Sequence, residues 1–384
     1  MKRIAYLSTA HFADCDLPLL HELMRKEQEL IYILQLTEKD KSRTLINVQQ
    51  LKKRGNVFPA TDYPELLGLS RYIDLNRMFV LNMPGRHDWS LANLMAVFRL
   101  VRFLQHKSID IIHLTWPPRY GVFWLYRLHR RMILTMHDPL PHSSQTGHLN
   151  LLHRWMAIKL IPRFILLNEV QRNEFISRYR LQPSQVLSSH LSIYTHLIDT
   201  PTVLPKAKDY VLFIGSINTH KGVDVLCQAM QQVHNTYPQL KLVVAGSGRI
   251  YFDIQPYINA GFLELHNRYL NDSELKGFIE QSLFVVCPYI DATQSGVVMS
   301  AFALAKPVIV TCVGGLPEMV EEGRHGLLVP PKDPEALAKA IIILTDKRKA
   351  EAMQHYIRAD FHSGERSWES IAEGIIAIYH EQTS

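Results

Sequence analysis

The sequence predicts an α/β protein built from two open, mostly parallel sheets, each in its own domain. Short apolar runs alternate with longer amphipathic stretches along the chain, which is the pattern of strands joined by crossover helices. The length of 384 residues exceeds what one typical core organises, so two domains are expected. The alternation restarts after a proline-rich segment at residues 196–209, which we interpret as a linker.

The first domain is assigned to residues 1–200. Strands are predicted at residues 3–8, 30–36, 56–59, 109–114, 132–136 and 164–167. Amphipathic helices are predicted at residues 91–105 and 149–160. Helices between strands favour parallel pairing, because a parallel connection must cross the sheet.

The second domain is assigned to residues 201–366. Its strands are predicted at residues 210–214, 241–245, 263–265, 283–288, 307–311 and 326–329, and its helices at residues 222–235, 271–281 and 334–345. A further helix is expected to open near residue 295. The last segment, residues 367–384, is predicted as a separate helix with one apolar side, able to cross back to the first domain.

Composition narrows the class of protein. A hydrophobic content of 47% and a charged content of 20% are typical of a soluble globular protein, and no run of 18 apolar residues could span a bilayer. We therefore expect a cytoplasmic location. Four cysteines without a C-x-x-C pair indicate neither a zinc site nor a disulfide framework.

Charge is divided unevenly. Residues 1–200 hold 26 Lys and Arg against 16 Asp and Glu, a balance of +10, whereas the remainder is acidic. A basic half indicates an acidic substrate, an anionic membrane surface or a nucleic acid. No nucleic-acid-binding motif is present, so nucleic acid is not expected as a partner.

Three turns at predicted strand ends in the second domain are candidate anion sites. The first runs from Gly215 to Lys221, the second contains Gly246 and Gly248, and the third opens a helix at residues 293–296. The carboxyl ends of parallel strands and the amides at a helix start both favour a bound phosphate. Each turn alone is equally well explained as an ordinary strand-to-helix connection.

In this order and spacing, the turns resemble the donor domain of the GT-B retaining glycosyltransferases of the large family 4, or group 1, type. The family pattern is matched over residues 210–345 by Gly215, Lys221, Gly222, Gly246, Gly248, Pro307, Gly314, Gly315, Glu318, Gly326 and Asp333. The resemblance implies two Rossmann-like domains facing a cleft. It also implies that a nucleotide-sugar is a substrate and that no cofactor is needed.

The sequence departs from the family pattern at the donor site. Ser216 replaces an arginine, and Ala292 and Ser300 replace a pair of glutamates. The loop looks like a variant of bacterial polysaccharide transferases with the sequence A-T-Q-S-G. On this resemblance we expect the donor to contact Gly215, Ser216, Lys221, Gly246, Gly248, Asp291, Thr293, Gln294, Ser295, Gly296, Val297 and Ser300.

The resemblance is looser in the first domain. It implies that His137 contacts the transferred sugar, with Asp138 beside it, as catalytic residues. The acceptor side would be formed by His11, His113 and His142. A packed histidine at a strand end is the alternative for His113, and to a lesser degree for His137.

Two further patterns have a structural and a functional interpretation. Asp14-Cys15-Asp16 spells the D-x-D motif of another transferase architecture, but its position favours helix N-capping, so no metal is expected. Basic and aromatic residues interleave at residues 119–132 and again at Arg154, Trp155, Lys159 and Arg163. A helix on an anionic membrane surface and a helix between sheet and solvent both fit this composition.

The expected function is transfer of a hexosyl group from a UDP- or GDP-sugar to a saccharide or lipid-linked acceptor, with retention and without a metal. The expected setting is bacterial cell-surface polysaccharide synthesis, in the cytoplasm or peripherally at the inner face of the membrane. The alternatives are a GT-B partner protein with impaired catalysis and a nucleotide-sugar epimerase. A dehydrogenase is disfavoured because the G-x-G-x-x-G fingerprint is missing.

Overall fold

The computed structural model describes residues 2–27, 29–42, 45–87, 90–116, 126–140 and 148–381. The chain forms two compact units. The first combines Met1–His190 with Trp368–Ser384, and the second is Leu191–Ser367. Residues 191–200, which the sequence assigned to the first domain, thus lie in the second unit.

The first unit is built on an eight-stranded sheet of order β3-β4-β2-β1-β5-β6-β7-β8, in which only β3 runs antiparallel to its neighbour. The strands are β1 (Ile4–Thr9), β2 (Leu30–Thr37), β3 (Asn56–Pro59), β4 (Met78–Met83), β5 (Ile111–Leu114), β6 (Met132–Met136), β7 (Arg163–Leu166) and β8 (Val186–Ser188). The strands predicted from the sequence did not include β4 and β8. Within β4 a polar residue, Asn82, is fully buried because its amide donates to the carbonyls of Lys52 and Arg54, and β8 has only three residues.

The helices of this sheet are α1 (Ala13–Lys26), α2 (Leu91–His106), α3 (His148–Leu160) and α4 (Arg172–Tyr179). Single 3-10 segments occur at Ala10–Phe12, Ala60–Asp62, Pro64–Arg71, Leu75–Arg77, Tyr126–Arg131 and Pro183–Gln185. Helix α2 illustrates why these residues fold as they do. The Ser90 hydroxyl caps it by accepting from the Asn93 amide, and Val97, Leu100 and Leu104 recur on one buried face.

The C-terminal helix, Trp368–Glu381, packs on the first unit, as the sequence led us to expect. Lys2 Nζ donates to the carbonyl of Tyr379 at 2.6 Å, which satisfies an acceptor in the last turn of the helix. Arg25 and Lys26 of α1 pair with Glu369 and Glu373 at 2.7 Å. The end of the chain is thereby fastened to its beginning.

The second unit is a six-stranded, fully parallel sheet of order β11-β10-β9-β12-β13-β14. Its strands are β9 (Tyr210–Ile214), β10 (Leu242–Gly246), β11 (Leu263–Asn267), β12 (Ser282–Cys287), β13 (Val308–Thr311) and β14 (Gly326–Val329). Its helices are α5 (His196–Asp199), α6 (Val223–Thr236), α7 (Gln255–Asn259), α8 (Asp272–Gln281), α9 (Gly296–Ala303), α10 (Leu316–Met319), α11 (Pro334–Leu344) and α12 (Lys347–Ile357), with a 3-10 turn at Thr219–Lys221 and a π-helical turn at Arg358–His362. The central strands are apolar throughout because helices cover both faces.

The segment predicted as a linker, residues 196–209, is instead packed on the second unit. It begins with helix α5, and the Val203 amide donates to the Ser273 carbonyl at 3.0 Å. Lys276 Nζ of α8 donates to the carbonyls of Ile198 and Thr200 at 2.7 and 2.9 Å. The proline-rich composition that suggested a linker limits helix α5 to a single turn. The carbonyl groups at the end of that turn then accept the hydrogen bonds from α8.

No helix in the described part of the chain is both long and apolar enough to cross a bilayer.

Candidate functional site

The topology of the second unit places the predicted donor residues at one point. The chain runs outward from β9 to β11 and then returns to β12, next to β9, before continuing to β14. Connections leave β9 and β12 in opposite directions, so a crevice forms at the carboxyl ends of these two strands, which is where open parallel sheets bind ligands. The three predicted turns follow β9, β10 and β12 and therefore surround this crevice.

The turns after β9 and β10 pack against each other through their backbones. Gly215 has φ of +126° and donates its amide to the Ala245 carbonyl at 3.0 Å. A Cβ atom on Gly246 would lie 1.8 Å from the Gly215 oxygen, and one on Gly248 would lie 2.0 Å from the Ile217 oxygen. These glycines are required for close approach of two turns. Their presence is thus explained without any ligand.

The loop after β12 joins the same group of turns. A Cβ atom on Gly222 would lie 2.0 Å from the Pro288 oxygen, and the Ile290 amide donates to the His220 carbonyl at 2.8 Å. On its other side, the Gly315 amide donates to the Thr293 carbonyl at 3.2 Å. The sequence-predicted turns are therefore contiguous in space.

Lys221 is the cation at the centre of this arrangement. Its Nζ lies 3.5 Å from the ring centroid of Tyr289, a fully buried residue that the sequence analysis did not single out. Burial lowers the pKa of Lys221, an effect that Cys287 opposes. Among the described residues no carboxylate pairs with this ammonium group. A half-buried cation without a counter-ion is a favourable place for an anionic ligand.

The start of helix α9 supplies donors beside this lysine. The Ser295 hydroxyl caps the helix by accepting from the Val298 amide. The amides of Gly296 and Val297 donate no hydrogen bond to another residue that the structure describes. The Tyr194 hydroxyl lies over the helix start, because a Cβ atom on Gly296 would meet it at 2.7 Å. The helix end therefore offers two amides and its positive dipole to an anion.

The remaining residues predicted to contact the donor differ in their exposure to solvent and in their hydrogen bonds. Ser216 and Asp291 are exposed, Gln294 is half-buried and Thr293 is buried. Ser300, expected to contact the donor in place of a glutamate, is buried and donates its hydroxyl hydrogen to the Gly296 carbonyl at 2.9 Å. Its proton is used inside the helix, as is common for helical serines. The structure thus gives Ser300 a role in the helix.

In the first unit, the ends of β1, β5 and β6 meet in an aromatic cluster. Phe12 stacks on His137 with a centroid distance of 3.9 Å and an interplanar angle of 10°. The ring of Trp116, which the sequence analysis did not select, lies 5.8 Å from Phe12, and the exposed His11 meets Phe12 edge-on at 5.0 Å. Strands β1 and β5 form the switch point of this sheet. Two predicted residues, His11 and His137, are therefore brought together where a ligand would bind.

His137 is held as a neutral ring. Burial lowers its pKa to about 4, with Asp138 opposing and His11 reinforcing the shift. Its Nε2 atom is enclosed and has no hydrogen-bond partner among the described residues. A neutral imidazole keeps one donor and one acceptor nitrogen, so it suits hydrogen bonding to a hydroxyl group. Near neutral pH it does not supply a positive charge.

The loop that carries His137 and Asp138 is fixed by Arg154 of α3. The guanidinium donates to the carbonyls of Asp138, at 2.5 Å, and Pro139, and to the Tyr179 hydroxyl at 3.1 Å. Arg154 is 8% exposed. From its sequence Arg154 is a candidate membrane residue, because its spacing along the chain does not reveal that it faces inward. His142, predicted on the acceptor side, lies outside the described residues.

His113 is a core residue, which corrects its assignment to the acceptor side. It is fully buried, with Nδ1 bonded to the Tyr379 hydroxyl at 2.6 Å and Nε2 to the Thr135 hydroxyl at 2.7 Å. Burial, reinforced by His137, lowers its pKa to about 3. Both ring nitrogens are occupied, so the residue has no atom left for an acceptor. It links the C-terminal helix to the sheet.

The D-x-D sequence is not a helix cap. Residue Phe12 occupies the cap position of α1, and no side chain in the described part of the chain caps the helix. Asp16 is buried and accepts from the hydroxyls of Tyr6, at 2.7 Å, and Ser8. Thr115 donates in turn to Ser8 at 2.7 Å. Burial raises the pKa of Asp16 to about 7, although both hydroxyl donors oppose the shift.

Ligating atoms of Cys15, Asp16 and His137 lie within 4.8 Å of one another. The Cys15 thiol donates to the Phe12 carbonyl at 3.1 Å, and Asp16 is held by its two hydroxyl donors. Two of the three groups thus already have protein partners. We assign the cluster to the packing of α1 against β1.

Several solved protein structures share this fold. The fold class is GT-B: a sucrose-phosphate synthase from Thermosynechococcus elongatus superposes with a TM-score of 0.67 at 17% identity, covering 100% of this chain and 99% of that one. An Anabaena protein, HepE, in complex with UDP and glucose superposes with a TM-score of 0.63 at 16% identity, covering 99% and 100%. Within this class, residues 208–347, which lie in the second unit, match the family described as glycosyl transferases group 1.

Relatives in sequence carry related names. An uncharacterized glycosyltransferase of Methanocaldococcus jannaschii is 31% identical over 176 residues, 45% of this chain and 48% of that protein. A phosphatidyl-myo-inositol mannosyltransferase of Mycobacterium leprae is 26% identical over 372 residues, 91% of each chain. Several of the curated relatives are matched over less than half of their own length. The similarity is thus strongest over only part of the chain.

Proposed function

We propose that this protein is a glycosyltransferase that moves a hexosyl group from a UDP- or GDP-sugar to a saccharide or lipid-linked acceptor. The observation that carries the proposal is Lys221, a half-buried cation at the switch point of the second unit with no counter-ion among the residues that the structure describes. The complex of HepE with UDP and glucose supports a nucleotide-sugar donor. We further propose that transfer proceeds with retention, without a metal, and in the synthesis of a bacterial cell-surface polysaccharide.

In this proposal Lys221 and the amides of Gly296 and Val297 hold the diphosphate. Negative charge develops on the phosphate oxygen as the sugar leaves, and preorganised donors are most effective where charge develops. A lysine and a helix start can supply this stabilisation without a divalent cation. Desolvation of Lys221 strengthens its attraction for the leaving group, because the local dielectric is low.

The proposed reaction needs no reactant other than the nucleotide-sugar and the acceptor. The bond between the anomeric carbon and the diphosphate oxygen breaks, and the acceptor hydroxyl oxygen bonds to the same carbon on the same face. The hydroxyl proton passes to the leaving phosphate oxygen. No protein base is required for this transfer.

We propose that His137 orients the sugar. Its pKa of about 4 keeps the ring neutral, so it acts through hydrogen bonds to sugar hydroxyls. Stacking on Phe12 and the bonds from Arg154 to the following loop hold the ring in place. Asp138 and His11 would line the same position. A lipid-linked acceptor would bring the protein from the cytoplasm to the inner face of the membrane.

The first test is calorimetric titration with UDP, GDP and ADP. Lys221→Ala should weaken binding of the preferred nucleotide by about 1.5–3 kcal/mol, because a charge-assisted contact is lost. Lys306→Ala is the matched control, since Lys306 is also half-buried with a pKa lowered by burial but bonds the Ser282 carbonyl at the amino end of β12. Binding by that variant should be unchanged.

The second test is turnover with labelled UDP-, GDP- and ADP-sugars. His137→Ala should lower turnover while nucleotide affinity stays the same. If no nucleotide binds the wild-type protein, it is a partner protein that retains the fold, for which Ala292 and Ser300 in the glutamate positions would be the reason. If Lys221→Ala binds like the wild type, the diphosphate lies elsewhere.

A further inference from the structure

One face of helix α3 carries large apolar side chains in contact with solvent. Leu152 is 50% exposed and Trp155 is 52% exposed, and Leu151 joins them at 37%. Residues three and four positions apart share a helix face, so these side chains form one stripe, continued by the exposed Lys159. We call this set, Leu151, Leu152, Trp155 and Lys159, the α3 stripe.

The helix that carries the α3 stripe is firmly placed. Its opposite side buries Ala157 and Ile158, which are 0% and 1% exposed, and Arg154 donates three hydrogen bonds inward. The exposure of the stripe is therefore not the result of a helix that lacks a docking position. It is a fixed surface of the first unit.

The surroundings of the α3 stripe are basic. Helix α3 packs against the 3-10 segment Tyr126–Arg131, on which Arg127, Arg130 and Arg131 are exposed. Helix α3 also packs against α4, which carries Arg172 and Arg178 and one acidic residue, Glu174. An apolar stripe with an aromatic residue, bordered by arginines, combines the two properties that bind an amphipathic helix to anionic lipid.

We infer that the α3 stripe docks on an anionic membrane surface. Trp155, with its amphipathic ring, would lie at the headgroup level, with Leu151 and Leu152 in the acyl boundary. The Lys159 Nζ donates to the Tyr179 carbonyl at 2.6 Å, and Arg131 donates to the Ile109 carbonyl at 2.7 Å. Their remaining N–H groups, with those of the other exposed arginines, would pair with lipid phosphates. A second copy of the chain fits this surface poorly, because a two-fold contact would bring the same arginines face to face.

This inference deepens the proposed function and rests on it only for the choice of a lipid-linked acceptor. The bonds from Arg154 to the carbonyls of Asp138 and Pro139 connect α3 to the loop that carries His137. Because α3 and His137 belong to the same unit, a membrane bound to the outer side of α3 would lie at a fixed position relative to His137. A lipid-linked acceptor could be presented there without leaving the bilayer.

The test is flotation of the full-length protein with vesicles of phosphatidylcholine alone and of phosphatidylcholine mixed with phosphatidylglycerol. Wild-type protein should float with the mixed vesicles, and flotation should decline as salt is raised. Leu152→Asp should reduce the partition coefficient about tenfold or more, because it places a charge in the stripe. Leu67→Asp, on the segment Pro64–Arg71, is the matched control, since Leu67 is 53% exposed and the charge change is the same.

A second readout locates the contact. Brominated lipid in the mixed vesicles should quench tryptophan emission of the wild type, and Trp155→Phe should lose most of this quenching while its flotation declines only modestly. Equal loss of flotation by Leu67→Asp and Leu152→Asp would overturn the inference, because the effect would then be one of net charge. So would a wild-type protein that ignores anionic vesicles, or one whose sedimentation shows dimers that Leu152→Asp dissociates. Nucleotide titration is independent of all these outcomes, so failure of membrane binding and failure of the proposed function are distinguished.

Discussion

Asp16 makes the stability of the first unit depend on pH in a way that one substitution should remove. The carboxyl group is buried, and its pKa rises from the ordinary 3.8 to about 7. The folded protein therefore binds this proton more tightly than the unfolded chain does. The stability that results is fully present below the unfolded pKa and is lost as the pH rises through about 7.

The size of the effect follows from the two pKa values. Between about pH 5 and about pH 8 the folded state releases this proton, whereas the unfolded state has already lost it. Integrating over this window gives a loss of about 2.5 kcal/mol in the free energy of unfolding, from 1.36 kcal/mol per pKa unit. Asp16→Asn keeps the shape of the protonated side chain and cannot ionise. The difference in stability between wild type and Asp16→Asn should therefore change by this amount.

The assay is urea unfolding of both proteins at several pH values, followed by circular dichroism. Asp62→Asn is the control, because Asp62 is an exposed aspartate of the same unit and does not contribute to the Asp16 shift, so this variant should leave the pH slope of the wild type intact. Parallel stability curves for wild type and Asp16→Asn would refute the reasoning, because the buried carboxyl would then titrate alike in the folded and unfolded states. A difference that grows in favour of the wild type with rising pH would refute it as well, since the sign would be reversed.

The remaining predictions concern residues that fix the backbone around the candidate site of each unit. Gly246→Ala should lower the free energy of unfolding by about 1–3 kcal/mol more than Gly261→Ala, because both have positive φ but only Gly246 would place a Cβ atom against another backbone; equal melting temperatures for the two variants would contradict this. Gly246→Ala should also weaken nucleotide binding, which titration would measure. Arg154→Lys should cost about 1–3 kcal/mol of stability. Nε of Arg154 bonds the Tyr179 hydroxyl while Nη2 bonds the two carbonyls, and lysine has a single nitrogen that cannot occupy both positions. It should lower turnover at unchanged nucleotide affinity, and unaltered turnover would show that the loop holds its shape without Arg154.

The second unit was the easier to predict, because its signals are local. Strands such as β9 and β10 are continuous apolar runs, and a glycine marks the end of each in the sequence, Gly215 directly after β9 and Gly246 as the last residue of β10. The order of its turns along the chain also fixes their order at the sheet edge, since right-handed crossovers leave few arrangements. Lys221 could be selected for this reason. Tyr289 could not, because a tyrosine after an apolar strand looks like any core residue.

His113 and His137 show that a position near the end of a predicted strand does not by itself distinguish a functional residue from a core residue. Both follow apolar runs, and the sequence alone gives them similar roles. His113 lies within β5, where its side chain points into the core and meets Tyr379, more than two hundred residues away along the chain. His137 lies one residue beyond β6 and stacks on Phe12 at the strand ends. A shift of one or two residues relative to the end of a strand decides between a core histidine and a candidate site histidine.

Sequence by itself determined the two parallel sheets, the three turns at the strand ends of the second unit and the existence of the C-terminal helix, because periodicity, glycine and a lysine at a helix start act over a few residues. Only the tertiary structure decided which polar residues are used for packing. The buried Asp16, the doubly bonded His113 and the inward Arg154 depend on partners from distant parts of the chain. A polar side chain is buried only when such partners satisfy it, and their positions are set by the fold as a whole.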